Sequence, residues 1–270
     1  MPAKTMFLHT SRVLILILCM SAPGSAQPKQ IRIAAASDLQ TVMFEIAGSF
    51  EAQTGTRVEL IFGSSGNFFA QIQNGAPFDL FFSADSEFPA KLIQSGRAEP
   101  GSAVVYGVGS LVLWMPPGAK CDPQVEKWNC LLKPEVSRIA IANPAHAPYG
   151  RAAVSALQAA HIYELVRDKF VLGENISQAA QFVHSGNAQA GILAYSQVHS
   201  PAMRDGELWE VPRDSYPRME QTVVLLKAAK AKSAAQDFVF FVTEGAGRAS
   251  LEKFGFRPPS AARTPGERHK

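Results

Sequence analysis

Residues Ile31-Arg32-Ile33-Ala34-Ala35-Ala36-Ser37-Asp38-Leu39 read as an apolar strand that runs almost directly into a helix, because Leu39, Val42, Met43, Ile46, Ala47 and Phe50 then recur at helical spacing. A second segment repeats the arrangement. Val58-Glu59-Leu60-Ile61-Phe62 is strand-like, Gly63-Ser64-Ser65-Gly66-Asn67 forms a turn, and Phe68, Phe69 and Ile72 follow on a short helix stopped by Asn74-Gly75. Ser37 sits where an N-cap belongs. A strand-to-helix turn leaves backbone N–H groups unpaired where the helix macrodipole is positive, and a serine hydroxyl adds another donor. Two such turns facing each other could wrap a small dianion without any Lys or Arg.

The alternation continues along the chain. Asp79 to Ser83 is a nearly all-apolar third strand, as expected in a parallel sheet covered on both faces, and a helix follows at Phe88–Ser95. Further strands are expected at Leu111–Met115, Arg138–Ala142, Ala190–Tyr195 and Thr222–Leu226. Helices are expected from Arg151, near Ile176–Ser185, and around Ala231–Thr243 and Ala246–Phe254. This is the pattern of an α/β fold. Trp114, on the strand that ends at Pro116, reads as a core residue or strand-end cap.

Residues 1–26 read as an export signal. Lys4 and Arg12 precede the compact apolar run Val13 to Ala22, and Gly24-Ser25-Ala26 supplies small residues for cleavage. The apolar run is short for a bilayer span, which needs about 20 apolar residues. Leu18 before Cys19 is bulkier than a lipid-attachment site calls for. After cleavage Cys121 and Cys130 remain, and an even count in an exported chain favours a disulfide stapling the polar loop between them. The charge balance is even, 26 basic against 23 acidic residues, with no basic stripe, so nucleic-acid binding has no electrostatic support. Gly-x-x-x-x-Gly-Lys-Ser/Thr is absent from the chain.

Read together, Ala34 to Leu39, Phe62 to Gly66, Gly75-Ala76-Pro77-Phe78-Asp79-Leu80-Phe81-Phe82-Ser83-Ala84-Asp85, Asn143-Pro144 through Ala147-Pro148-Tyr149-Gly150, and Gly191-Ile192-Leu193-Ala194-Tyr195-Ser196-Gln197 resemble the periplasmic molybdate-binding proteins of ABC transporters, the ModA family. The resemblance runs in order over residues 30–256. It implies a type II periplasmic-binding-protein fold: two α/β lobes joined by two crossovers, with a ligand cleft between them. The first lobe would be residues 30–107 plus 217–257, the second 108–216, and 258–270 a loose tail. The implied function is capture of molybdate, and of tungstate, and delivery to the membrane permease subunits of an ABC transporter. The chain would act as a periplasmic monomer, with no cofactor, no enzymatic activity, and molybdenum present only as the bound oxyanion.

By that resemblance Ser37 and Ser65 donate hydroxyl and backbone N–H bonds to the anion, and Tyr149 and Ile176 offer backbone N–H groups from the second lobe. A tyrosine hydroxyl used by some members aligns with Ala194. Here Tyr195 stands one position later, and Tyr149 is the alternative phenol. Such neutral donors suit an unprotonated tetrahedral dianion, whereas monohydrogen phosphate would bring an O–H with no acceptor. Asp38 is expected in the first helical turn, favoured by the dipole, with its carboxylate turned from the cleft.

Two other readings compete. The same fold could take sulfate, thiosulfate or a carboxylate. A carboxylate calls for an Arg clamp, and Arg151, expected to face solvent, is the one residue placed for it. An exported hydrolase could use Ser64 or Ser65 with His146 as base, although Gly63-Ser64-Ser65-Gly66 is not a Gly-x-Ser-x-Gly elbow.

Overall fold

The computed structural model describes residues 29–259, so the export-signal reading and residues 260–270 of the expected tail lie outside the described residues. The strands are β1 (Gln30–Ala36), β2 (Arg57–Gly63), β3 (Leu80–Ser83), β4 (Val104–Val108), β5 (Leu111–Met115), β6 (Ile139–Ala142), β7 (Phe170–Gly173), β8 (Ala190–Ala194), β9 (Glu207–Glu210) and β10 (Glu220–Leu225). They form two five-stranded sheets, ordered β2-β1-β3-β10-β4 and β7-β6-β8-β5-β9. The chain leaves the first sheet after β4 and returns as β10, which inserts antiparallel between β3 and β4. Two crossovers therefore join two mixed α/β lobes, the type II binding-protein architecture.

Side-chain alternation on the strands builds a core on each face of the first sheet. Ile33, Ala35, Phe82, Val223 and Leu225 pack on one face, with helix Gln40–Thr54, through Met43, Ile46 and Phe50. Ala34, Phe81 and Val224 point to the other, with Phe68, Ile72 and Leu92. Burial of each large apolar side chain is worth about 1.5–3 kcal/mol, so a strand buried on both faces is held firmly in register. The second sheet has its own core, in which Trp114 is buried and its Nε1–H donates to the Met203 carbonyl at 3.0 Å. Cys121 and Cys130 form a disulfide, Cα–Cα 5.6 Å, across the loop that separates them.

Strands β4, β7 and β9 are absent from the sequence reading. Each is four or five residues long, and each carries partly exposed or polar positions that weaken the periodic signal. All three stand at sheet edges, where the charged Glu207 and Glu210 of β9 are in place.

Candidate functional site

Four strand-to-helix junctions meet between the lobes. Ser37 opens the 3₁₀ turn Ser37–Leu39 after β1, and Ser65 opens helix Ser65–Gln73 after β2. On the second lobe, Tyr149 is the second residue of helix Pro148–Ala159 after β6, and Ile176 opens helix Ile176–His184 after β7. Ser37, Ser65, Tyr149 and Ile176 line one cavity of about 190 Å3, counting its mouth, to which no Lys or Arg contributes.

The partners of the first-turn N–H groups identify the donors left over. In helix Ser65–Gln73, the Gly66 N–H donates to the His146 carbonyl across the cleft at 2.9 Å, and the Asn67 N–H to the Ser64 hydroxyl at 3.4 Å. In helix Pro148–Ala159, Pro148 has no N–H, and those of Gly150 and Arg151 donate to the Ala147 carbonyl. In helix Ile176–His184, the Ser177 N–H donates to the Ser37 hydroxyl at 3.4 Å and the Gln178 N–H to the Asn175 side chain at 3.0 Å. No carbonyl of the loops and turns takes the N–H groups of Ser65, Tyr149 and Ile176, whereas that of Ser37 continues the parallel β1–β2 ladder, in which Ala36 pairs with Gly63, so Ser37 faces the cavity with its hydroxyl and not with the backbone N–H the sequence reading gave it. A helix provides no acceptor for its first N–H groups, so these buried donors converge on the cavity; Asp38 lines the same cavity, against the expectation that it turns from the cleft. The Ser65 hydroxyl accepts from the Ala84 N–H at 3.0 Å and keeps its own proton to donate.

Ser37 is not an N-cap. Ala36 holds that position without a side-chain cap, and Ser64 caps the neighbouring helix. The reason is the 3₁₀ turn, which delays the α-helix to Gln40 and leaves the buried Ser37 hydroxyl facing the other lobe.

Asp38 lies in that first turn, as expected, but its carboxylate is buried and neither oxygen completes a hydrogen bond of good geometry. Burial pushes its pKa up to about 7, and the Tyr149 hydroxyl and the Gln221 amide only partly offset this. Desolvation outweighs the dipole at this position.

The lobes are latched across the cleft. Ser177 Oγ donates to the Ser37 carbonyl at 2.9 Å, Ser196 Oγ to the Asp38 carbonyl at 2.7 Å, and Gln197 Nε2 to the Ser37 carbonyl at 2.9 Å. Arg151 does not face solvent: its guanidinium donates to Asp85 at 2.6 Å, lies 3.8 Å from Glu87 and stands over the Phe88 ring. A cation held by first-lobe carboxylates bridges the lobes instead of waiting for a ligand. Desolvation raises the pKa of Asp85, opposed by the Phe88 N–H and by Arg151.

Tyr195 does not join the cavity. It opens the short helix Tyr195–Val198, its N–H donates to the Ser110 carbonyl, and its ring packs against Gly255 and 5.1 Å from His199. The start of this helix turns Ser196 and Gln197 toward the Ser37 turn and sends Tyr195 to the opposite side. Ser177, Ser196 and Gln197 are cross-cleft residues that the sequence reading assigns no role, although Ser196-Gln197 stands inside a quoted motif. His146 places Nδ1 3.0 Å from Ser64 Oγ and Nε2 3.5 Å from Glu174. Ser64 Oγ already caps a helix and Glu174 is exposed, so this serine–histidine–glutamate line is another link between lobes.

Fold and cavity together define a two-lobed solute-binding protein with a cleft for a small anion. The model of the family described as bacterial extracellular solute-binding protein matches residues 31–257. The molybdate-binding protein ModA of Rhodobacter capsulatus is 37% identical over 243 residues, 90% of this chain and 93% of that protein. ModA of Azotobacter vinelandii is 38% identical over 233 residues, 86% of this chain and 91% of that protein. The solved structure of the Azotobacter vinelandii periplasmic molybdate-binding protein superposes with a TM-score of 0.78 at 32% identity, covering 85% of this chain and 99% of that one. The chain belongs to the bacterial extracellular solute-binding protein family, among its ModA members. This is a family of binding proteins, and the chain is not an enzyme.

Proposed function

We propose that this chain captures molybdate outside the cytoplasm and hands it to the membrane subunits of an ABC transporter, with Ser37, Ser65, Tyr149 and Ile176 holding the anion. The observation that carries the reading is the convergence of three helix-start N–H groups, those of Ser65, Tyr149 and Ile176, and two serine hydroxyls on one cavity without a basic side chain. Neutral donors of fixed direction suit a tetrahedral dianion that carries no proton. Sulfate shares charge and shape, so its rejection falls to cavity size, and tungstate, nearly the size of molybdate, binds as well. A carboxylate cargo loses support because Arg151 is already committed to Asp85. The export reading of residues 1–26 and the names of the relatives support a periplasmic location. Residues 30–107 plus 217–257 and residues 108–216 close as two lobes of a monomer, and the bound anion stabilises the closed arrangement by its greater affinity for it.

Calorimetric titration with molybdate, tungstate, sulfate and phosphate tests this. Tight binding of the first two, weakened about tenfold or more by Ser37→Ala and by Ser65→Ala, is expected, a loss on the scale of one charge-assisted hydrogen bond. Preference for sulfate or phosphate would overturn the assignment.

A further inference from the structure

We propose that Gln221 is a positioning residue for anion capture, seating the Tyr149 turn on the cavity by holding the Tyr149 hydroxyl against the first crossover. The proposal rests on the reading of the cavity as the anion site. Gln221 is fully buried on β10, just after the second crossover. Its Nε2 donates to the Tyr149 hydroxyl oxygen at 3.3 Å, and its Oε1 accepts from the Tyr106 hydroxyl at 2.9 Å. The Tyr106 hydroxyl also has the Ser83 carbonyl within reach at 3.2 Å, and the shorter approach to Oε1 assigns the amide oxygen to Tyr106 and leaves Nε2 for Tyr149. The Tyr149 oxygen, filled as an acceptor by Gln221, keeps its proton for the Asp38 side.

Two further features serve the same contact. The β10–β4 register shifts between Gln221 and Thr222, an irregularity of the kind that re-aims a side chain beside a functional site. At the first crossover, a Cβ on Gly109 would collide with the Tyr149 hydroxyl and lie 2.7 Å from Gln221 Nε2. The missing side chain makes room for this pair. Tyr149 belongs to a helix of the second lobe and Gln221 to the first sheet, so their hydrogen bond sets the angle at which the Tyr149 N–H meets the cavity.

The test compares wild type, Gln221→Met, Tyr149→Phe and the double variant by calorimetric titration with molybdate, and by amide hydrogen exchange of the ligand-free protein. Methionine keeps length and volume but leaves both phenols without their amide partner. Gln221→Met should weaken molybdate binding about tenfold. That loss should largely vanish in the Tyr149→Phe background, and exchange at residues 147–150 should quicken while helix Lys232–Thr243 keeps its protection. Additive losses, or wild-type affinity and exchange at 147–150 with only a lowered melting temperature, would make Gln221 merely structural and overturn the proposal. Should wild type bind none of the four anions of the earlier titration, the molybdate reading fails separately, and exchange at 147–150 alone decides whether Gln221 seats this turn.

Discussion

Asp38 is the residue whose burial costs the fold most visibly. Its pKa rises from 3.8 to about 7 in the folded protein, with desolvation the largest cause. Between those values the folded state holds a proton that the unfolded chain has released, so stability falls as pH rises from about 4 to about 7. The cost is absent below that window and complete above it, reaching roughly 4 kcal/mol for a shift of this size. Asp38→Asn should gain little over wild type near pH 4 and most near pH 8, measured by denaturant unfolding at both; an equal difference at the two pH values would contradict the account. The turns that carry Ser37 and Ser65 were legible in the sequence because each stands between an apolar strand and a helical period, but the N-cap role read for Ser37 was not met, since a 3₁₀ turn delays the helix to Gln40. Tyr195 was not, because a one-residue offset at a helix start reverses the side a ring takes, and spacing alone does not register it. Arg151 escaped for a different reason: its partners Asp85 and Glu87 are distant in sequence and only the closed lobes bring them near.

At the scale of elements, the site is made of helix starts, and how closely they approach is set by glycine. A Cβ on Gly66 would stand 2.6 Å from the His146 carbonyl on the opposite lobe, where the Gly66 N–H now donates. Gly66→Ala should therefore fold normally or gain up to about 1 kcal/mol from helix propensity. It should nonetheless lose about tenfold or more in anion affinity, because the lobes cannot complete their approach. Titration and denaturation of the same variant check both halves, and unchanged affinity would show that closure does not need this contact. Helices with clean apolar periods, such as Gln40–Thr54 and Ile176–His184, stand within a few residues of their sequence positions. Where the period is short or broken, as in β4, β7 and β9, pairing with a neighbouring strand makes the element, and pairing is not written locally.

Across the whole molecule, the two crossovers place four helix starts from two sheets around one point, and cross-cleft bonds from Ser177, Ser196, Gln197 and Arg151 hold the lobes together. Alternating strands and helices announced the α/β class. The return of β10 into the first sheet became legible only through the resemblance to a known family, since nothing local tells a strand which sheet it joins. The most direct measurement is a crystal structure of the protein grown with molybdate. The account predicts the anion between the lobes, with the N–H groups of Ser65, Tyr149 and Ile176 about 3 Å from its oxygens, the Ser37 and Ser65 hydroxyls donating, and no Lys or Arg in contact. An anion seated on Arg151, or one accepted by the Asp38 carboxylate through a proton on its oxygen, would contradict it.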